Sequence, residues 1–582
     1  MDTRTDQTSD TTPLPHPSFA RRTLLAAGGG LAVASVALKG VNAQGTPEAS
    51  TPEPGAPSGR QAPASATEAG PVIPDELTGA ATNWPTAQGN LRATRAAVDS
   101  TIDSATLPDI GIAWCYPIDS SGQWGGITSN PIVIDDRIYI QDSACNVRAI
   151  DKASGGELWR TDFGEVIGGP NGIGIGYGIL VVALGDSHDV AGLEAATGRQ
   201  LWRSRLSNNF GETVEIAPVI YDSTAYVSTN PTGSGEGQYR GGQKGILYAL
   251  DVTTGETLWQ WDTTTDNLWG QPRTNSGGGV WYPVSIDEAG NLYFGVGNAG
   301  PWPGTAEFPN GSSRPQDDLY ASSMVSLEST TGVLRWYIQA RPRDLFDLDF
   351  QNTPVLATVP IDGTDTPVAI GSGKAGLVIA ANADTGEELW RVAVGRHQND
   401  DLTEVPAGET VEVYPGTLGG ILTPLAYAEG QVFVPILNSP GYYTADGTGE
   451  GPGSLATSTG QLVALDAATG DEQWNVDLVT GAIAGAIVAN DVVIIGGLDG
   501  IVRAYATADG SPVWQYQTGS GHNAPFAISG DYLFVPAGGP LIPSSETPDP
   551  APTPAIELIA FMVGATGIGA TPAATPDATP GA

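Results

Sequence analysis

Basic residues are scarce in this sequence of 582 residues. Lysine and arginine together number 25, against 64 aspartates and glutamates, and the formal net charge at pH 7 is −39. Only four residues are lysines, namely Lys39, Lys152, Lys244 and Lys374. Because nucleic-acid binding requires concentrated positive charge, the composition excludes nucleic acid as a partner.

Cysteine and histidine are also rare. The two cysteines, Cys115 and Cys145, do not belong to a C-x-x-C-H motif, so no c-type haem is attached to the chain. They can form a disulfide in an oxidising compartment or remain free thiols, and the sequence leaves both alternatives open. After the N-terminal segment only His188, His397 and His522 remain, and none lies in a nucleophile motif, which disfavours a Ser/His/Asp hydrolase.

The N-terminal segment predicts export rather than a membrane span. Two arginines, Arg21 and Arg22, precede an uncharged stretch at 23–38, and a small-residue cleavage site ends at Ala43. Paired arginines in this place are typical of a twin-arginine signal, and the stretch is too short for a stable membrane span. We therefore predict a signal peptide at 1–43 and an exported protein, located in the periplasm, outside the cell or at the cell surface.

The domain organisation follows from composition. Residues 44–80 are rich in Pro, Ala and Thr, and residues 564–582 are similar, so we predict a disordered linker and a disordered tail. Residues 81–563 then form the folded domain. With 78 glycines, 45 prolines and only 15% charged residues, the chain is typical of an all-β protein with many short strands.

A repeat runs through the folded domain. Each copy reads as a strand, a turn that contains glycine, and a strand that ends in tryptophan, as in "LYALDVTTGETLW" and "LVALDAATGDEQW". The spacing is typical of propeller blades. We predict an eight-bladed β-propeller whose first blade is completed by the apolar C-terminal segment Ile556 to Val563. The tryptophans at the repeated position are Trp114, Trp159, Trp202, Trp259, Trp336, Trp390, Trp474 and Trp514.

The repeat has the form A-x-D-x-x-T-G-x-x-x-W and resembles the tryptophan-docking motif of the pyrroloquinoline quinone (PQQ)-dependent alcohol dehydrogenase family. The resemblance covers roughly residues 83–563. Propellers without a cofactor share this repeat, so the motifs of the site must decide the function.

Several motifs resemble the metal and cofactor site of that family. The resemblance of "EGQYRG" implies that Glu236 binds the metal, and the resemblance of "YFGVGNAGPW" implies the same for Asn298. In "GGGVWYPVSID", Trp281 corresponds to the tryptophan under the quinone ring. In "GSGKAG", Lys374 corresponds to the basic residue that bonds the reactive oxygens of the cofactor.

Two further residues are expected at the cofactor from the same resemblance. They are Arg240, in the motif that contains Glu236, and Asn438.

The segment "RDLFDLDF", residues 343–350, carries two closely spaced aspartates in an apolar run. Interpreted as a strand, it places Asp347 and Asp349 on one face. By resemblance, Asp347 is the catalytic base and a metal ligand. Asp349 corresponds to the extra aspartate of lanthanide-dependent members, or it is a purely structural aspartate, so the cation is Ca²⁺ or a lanthanide ion.

The chain departs from the family pattern in one place. Methanol-type members have adjacent cysteines whose disulfide covers the quinone, whereas this chain has Gly168 and Gly169 there. The arginine that often follows is also absent, because the chain reads Asn171 and Gly172. Either the upper face of the quinone is covered differently, or the chain does not bind the quinone.

The resemblance implies an exported dehydrogenase that oxidises an alcohol, a sugar or another hydroxyl compound by hydride transfer to metal-bound PQQ. Its electrons pass to a separate acceptor, a cytochrome or a quinone. The alternative is a propeller without cofactor that serves as a scaffold or binding module. A scaffold has no reason to keep the whole set of site residues together, namely Glu236, Asn298, Trp281, Asp347 and Lys374.

Overall fold

The computed structural model describes residues 71–97, 99–231, 240–451, 455–550 and 552–566. Strands dominate these residues, and the prediction of an all-β propeller fold is confirmed. Helical structure in the described residues is limited to the short α-helices Asp75–Thr78 and Asp266–Trp269 and the 3₁₀ segments Leu107–Asp109, Pro309–Gly311 and Leu455–Thr457. No helix of the described part is long and apolar enough to cross a membrane.

The described strands build eight sheets that each contain four hydrogen-bonded antiparallel strands, and we number these sheets along the chain. The glycine-containing turns favour such short hairpins. Sheets 1 to 4 consist of Ile132–Ile134, Arg137–Gln141, Val147–Asp151 and Glu157–Thr161; Ile173–Gly176, Ile179–Ala183, Asp189–Glu194 and Gln200–Arg205; Val219–Tyr221, Thr224–Pro231, Ile246–Asp251 and Thr257–Asp262; and Ser285–Ile286, Asn291–Gly295, Ser323–Glu328 and Leu334–Gln339.

Sheets 5 to 8 follow the same plan. They consist of Val355–Ile361, Thr364–Ser372, Leu377–Asn382 and Glu388–Ala393; Ala426–Ala428, Gln431–Asn438, Thr459–Asp466 and Glu472–Leu478; Ile487–Ala489, Val492–Gly496, Ile501–Ala506 and Pro512–Gln517; and Ala527–Ser529, Tyr532–Ala537, Glu557–Val563 and Ile110–Pro117.

Short strands lie outside this plan. They are Ala96–Ala97, which pairs in parallel with sheet 7; Glu212–Thr213, which pairs with sheet 3; the pair Ser276–Gly277 and Ala299–Gly300; and the small sheet of Val411–Val413, Gly441–Thr444 and Gly447–Thr448.

Sheet 8 combines one strand from the N-terminal part of the chain with three strands from its C-terminal part. The C-terminal strand Glu557–Val563 lies between Tyr532–Ala537 and Ile110–Pro117 and pairs antiparallel with both. The strand Ile110–Pro117 carries Trp114, so the C-terminal segment supplies the partner that the sequence predicts for it. Apolar residues of this sheet are buried in one cluster with residues of sheets 1 and 7.

Seven of the eight repeated tryptophans each donate a hydrogen bond to the repeat of the next sheet. The Nε1 of Trp114 donates a hydrogen bond to the main-chain oxygen of Lys152 at 3.0 Å, and the Nε1 of Trp474 donates one to Thr507 at 2.9 Å. A Cβ on Gly155, whose φ is +70°, would lie 2.6 Å from the Trp114 ring, so the turn glycine is required by both conformation and contact. The same bond to the following repeat is made by Trp159, Trp202, Trp259, Trp336 and Trp390.

Two findings concern the ends and the cysteines. The carboxylate of Glu76, in the segment predicted to be a linker, accepts hydrogen bonds from the backbone N–H of Tyr177 at 3.1 Å and of Gly178 at 2.7 Å, so this part of the segment contacts sheet 2.

Cys115 is exposed and Cys145 is buried, and both are free thiols. The predicted signal peptide lies outside the described residues.

Candidate functional site

A cavity of about 700 Å³ brings together residues from distant parts of the chain. Its volume is within the range of about 300–1,000 Å³ that is usual for small-molecule sites. Four of the predicted site residues line it, namely Trp281, Asp347, Asp349 and Lys374.

Trp281 is held by close packing of two glycine-rich segments. The N–H of Gly278 donates to the main-chain oxygen of Asn298 at 2.8 Å, and the N–H of Gly297 donates to that of Gly279 at 2.7 Å. A Cβ on either Gly279 or Gly297 would lie 2.9 Å from the Nε1 of Trp281. Only glycine permits this approach of backbone to the ring, and the contact fixes Trp281 on the cavity wall.

The segment 343–350 is not a strand, and that prediction is wrong. The carboxylate of Asp344 accepts the N–H of Phe346 at 3.0 Å and that of Leu348 at 2.8 Å, which bends the chain between sheets 4 and 5. Asp347 has a φ of +63°, in the left-handed region that aspartate tolerates better than most residues. This turn, rather than strand alternation, directs Asp347 and Asp349 to the same point.

That point is the ammonium group of Lys374. Its Nζ lies 3.1 Å from Oδ2 of Asp347 and 2.7 Å from Oδ2 of Asp349. The N–H of Lys374 donates to Oε1 of Gln351 at 3.1 Å, which orients the turn between the second and third strands of sheet 5. The backbone N–H of Asn298 donates to Oδ1 of Asp349 at 2.5 Å, so Asn298, Asp349, Lys374 and Asp347 form one chain of contacts.

Burial controls the protonation of this group. Burial raises the pKa of Asp347 well above its ordinary value; the charge of Lys374 lowers the pKa, and that of Asp349 raises it. Burial alone lowers the pKa of the Lys374 ammonium, but Asp347 and Asp349 outweigh it and raise the pKa. Oδ1 of Asp347 is buried and has no hydrogen-bond partner among the described residues, so it is available to a bound molecule or ion.

Glu215 is a site residue that the sequence analysis missed. It lines the cavity and is 1% exposed, in the segment between sheets 2 and 3. Burial raises the pKa of its carboxyl group to about 7; a hydrogen bond from Gly168 lowers it, and the charge of Asp186 raises it further. The signal was available, because "TVEIAP" places one charged residue inside an apolar run.

Two other predicted residues, Arg240 and Asn438, lie elsewhere. Arg240 is exposed, with its guanidinium carbon 5.2 Å from the centre of the Phe210 ring. Asn438 accepts the N–H of Arg396 through its Oδ1 at 2.9 Å. Neither residue lines the described cavity, because these contacts hold both side chains outside it. Glu236 lies outside the described residues.

The chemistry of the cavity fits an anionic quinone held with a cation. Its lining contains four carboxyl groups, those of Asp186, Glu215, Asp347 and Asp349, against the single ammonium of Lys374. Bound positive charge would neutralise this excess. Among the described residues, no three His, Cys, Asp or Glu side chains lie so that they could hold a metal ion together. A cation therefore also needs amide oxygens, residues outside the described part, or oxygens of the bound molecule.

Comparisons with known proteins show quinoprotein relatives of this chain. Residues 207–410 match a family described as the β-propeller domain of glucose, ethanol and alcohol dehydrogenases, and residues 374–542 match one described as the outer membrane protein assembly factor BamB. A quinohemoprotein alcohol dehydrogenase of Comamonas testosteroni is 26% identical over 509 residues, which cover 75% of this chain and 70% of that protein.

Solved structures show the same fold. A quinohemoprotein alcohol dehydrogenase of Pseudomonas putida superposes with a TM-score of 0.74 at 22% identity, covering 87% of this chain and 85% of that one. A europium-containing methanol dehydrogenase superposes with a TM-score of 0.68 at 21% identity, covering 84% and 99% of the two chains.

The fold is that of the solved quinoprotein dehydrogenases. Trp281, Asp347 and Lys374 line the same cavity of this fold. With the matching family model and relatives, the chain is similar to the PQQ-dependent alcohol dehydrogenase family.

Proposed function

We propose that this protein is an exported quinoprotein dehydrogenase that oxidises an alcohol, a sugar or another hydroxyl compound by hydride transfer to PQQ bound with Ca²⁺ or a lanthanide ion. The eight sheets are, in this proposal, the blades of one closed ring. The observation that carries the proposal is the convergence of Trp281, Asp347 and Lys374 on one cavity, although they come from three separate segments.

Trp281 is the surface for a planar cofactor. A flat aromatic ligand gains from contact with an aromatic face, and the close glycine packing around Trp281 holds this side chain in place before binding. Asp347, Asp349 and the side chain of Asn298 are the residues that would hold the cation, with Glu236 as a further ligand. When bound, PQQ supplies the two-electron acceptor of the reaction.

Asp347 is suited to accept the hydroxyl proton of the substrate. Its Oδ1 is buried and unpaired in the described structure, and burial gives the carboxylate an increased affinity for a proton. A positioned base of this kind contributes about 10²–10⁴-fold to the rate. Its other oxygen, Oδ2, accepts a hydrogen bond from Lys374 at 3.1 Å. Lys374 therefore orients the carboxylate through Oδ2, while Oδ1 is left to take the proton.

Lys374 has two tasks in this proposal. It fixes the orientation of Asp347 and Asp349, and its positive charge lies where negative charge develops during the reaction. Because its ammonium already contacts both carboxylates, the charge is in place before substrate binds.

The rival function, a scaffold without cofactor, is disfavoured by the polar atoms of the cavity. Folded proteins pair most buried polar groups, yet Asp347 Oδ1, Glu215 Oε2 and Trp302 Nε1 are buried without a partner in the described residues, and all three residues line the cavity. A scaffold gains nothing from this cost, whereas a binding site does.

Reconstitution tests the proposal. The purified protein is mixed with PQQ and either Ca²⁺ or a light lanthanide, and reduction of an artificial dye is followed with a panel of alcohols and sugars. The proposal expects substrate-dependent dye reduction that is lost in Asp347→Asn and kept in Asp401→Asn, which changes an exposed aspartate. Absence of activity with every substrate and ion would contradict it.

Two parts of the proposal concern the setting of the enzyme. Export rests on the arginine pair and cleavage site of residues 1–43. Transfer of electrons to a separate cytochrome or quinone rests on the absence of a C-x-x-C-H motif from the sequence.

A further inference from the structure

Glu215 presents an unpaired carboxyl oxygen to the cavity. Its Oε1 accepts the N–H of Gly168 at 2.8 Å, while its Oε2 is buried and has no hydrogen bond of normal geometry within the described part of the chain. Leaving a buried polar atom without a partner costs free energy. Such an atom in a ligand-sized cavity indicates contact with a bound molecule.

The glycine pair beside Glu215 makes room for this carboxyl group. A Cβ on Gly169 would lie 2.5 Å from Oε2 of Glu215 and 3.4 Å from Cζ3 of Trp281. A Cβ on Gly168 would lie 3.3 Å from Oε1. Glu215 therefore fills space that side chains at 168 and 169 would otherwise take, next to the edge of the tryptophan on which the quinone is proposed to lie.

The groups that face Glu215 are mostly acidic. The charge of Asp186 acts on Glu215, and that of Glu215 on the buried thiol of Cys145. Asp186, Asp347, Asp349 and Lys374 line the same cavity as Glu215. Burial is the main reason why the pKa of Glu215 rises to about 7, Asp186 adds to the rise, and the Gly168 amide and Thr213 hydroxyl oppose it. The neutral form carries an O–H that can donate.

PQQ carries carboxylate groups, so an ionised glutamate at its edge would repel it and a neutral one would attract it. We infer that the Glu215 carboxyl group contacts bound PQQ directly and donates a hydrogen bond to one of its carboxylate oxygens, at the wall formed by Gly168 and Gly169. This inference rests on the proposed function and adds a binding residue to it.

An optical titration with PQQ at a saturating concentration of the metal ion measures the affinity for PQQ at pH 6 and pH 8. The proteins compared are the wild type, Glu215→Gln and Glu215→Ala. In the wild type, affinity should fall about tenfold between these values, because only the protonated fraction binds. Glu215→Gln is a permanent donor and should keep the affinity that the wild type has at pH 6, with no fall at pH 8. Glu215→Ala should bind more weakly at both values.

The alternatives give different results. If Glu215→Gln loses affinity both for PQQ and for a lanthanide ion such as terbium, Glu215 is a ligand of the ion and the inference is overturned. If Glu215→Ala binds like the wild type, there is no contact and the inference is overturned. If the wild type itself does not bind PQQ at any pH, the proposed function fails, and this outcome is distinct from the other two.

A second pair of variants leaves the carboxyl group itself intact. Gly169→Ala should push Oε2 aside and weaken PQQ binding at least tenfold, while Gly168→Ala, which meets its nearest atom at 3.3 Å, should change it by less than about threefold. Neither glycine has a φ in the left-handed region, so both variants should fold. Equal effects of the two would contradict the placement of Glu215.

Discussion

The ammonium group of Lys374 lies closer to Asp349 than to Asp347, at 2.7 Å against 3.1 Å. Asp349 also accepts the amide of Asn298, so both of its oxygens are engaged, whereas Oδ1 of Asp347 is left without a hydrogen bond in the described structure. Two neighbouring aspartates thus differ in what they can still do. Asp349 is suited to neutralise charge, and Asp347 to take up a proton.

Removing the ammonium group that Asp347 and Asp349 share should destabilise the folded protein. Lys374→Met leaves two buried carboxylates without their ammonium, and loss of one partner of a buried ion pair typically costs about 3–5 kcal/mol. We expect the free energy of unfolding, measured in urea, to fall by that order and dye reduction to disappear. Lys152→Met is the control, because the ammonium of Lys152 only donates to the Ser529 hydroxyl. An equal effect of both variants would contradict the role of Lys374.

Asp349 should select the charge of the cation. Asp349→Asn should lower activity with a lanthanide more than activity with Ca²⁺, since losing one negative charge costs a trivalent ion more than a divalent one. Asp344→Asn is matched, because Asp344 lies in the same segment but accepts two backbone amides. It should affect both ions equally. If Asp349→Asn also affects both ions equally, Asp349 does not select the metal.

His522 should make stability depend on pH. It is fully buried, and burial lowers its pKa to about 4, with Arg503 acting in the same direction. The neutral form is therefore favoured in the folded state. The stability it contributes is complete above the unfolded pKa near 6.5 and is lost as pH falls towards 4, a difference on the order of 3 kcal/mol.

The measurement is the free energy of unfolding at pH 7 and pH 4. The difference between the two values should be smaller in His522→Gln than in the wild type, and it should be unchanged in His188→Gln, where the histidine is half-buried. A wild-type difference in His522→Gln would show that the imidazole does not charge in this range.

The sequence predicts the parts of the structure that repeat or that carry a family motif. The tryptophan repeat predicts the sheets, because the same glycine turn and ring contact recur in each, as at Trp114 and Gly155. Trp281 and Lys374 are predicted because "GGGVWYPVSID" and "GSGKAG" resemble cofactor-binding motifs of the family, and lysine is rare in this chain.

What the sequence does not predict depends on contacts that are distant along the chain. The turn at Asp344 replaces the expected strand because its carboxylate captures two amides, and alternation of residue types contains no sign of that. Glu215 is a glutamate in an apolar run, and its place in the cavity wall depends on contacts with Gly168 and Gly169, which lie 47 and 46 residues earlier in the sequence. The side chains of Arg240 and Asn438 lie outside the cavity because of local partners.

Binding of PQQ to wild-type protein and to Trp281→Ala tests the central claim most directly. With Ca²⁺ or a light lanthanide present, equilibrium dialysis should show one PQQ retained per wild-type chain. Trp281→Ala, with an unchanged circular dichroism spectrum, should retain almost none, because the aromatic surface for the quinone is gone. Failure of the wild type to bind PQQ, or equal retention by both proteins, would contradict the account.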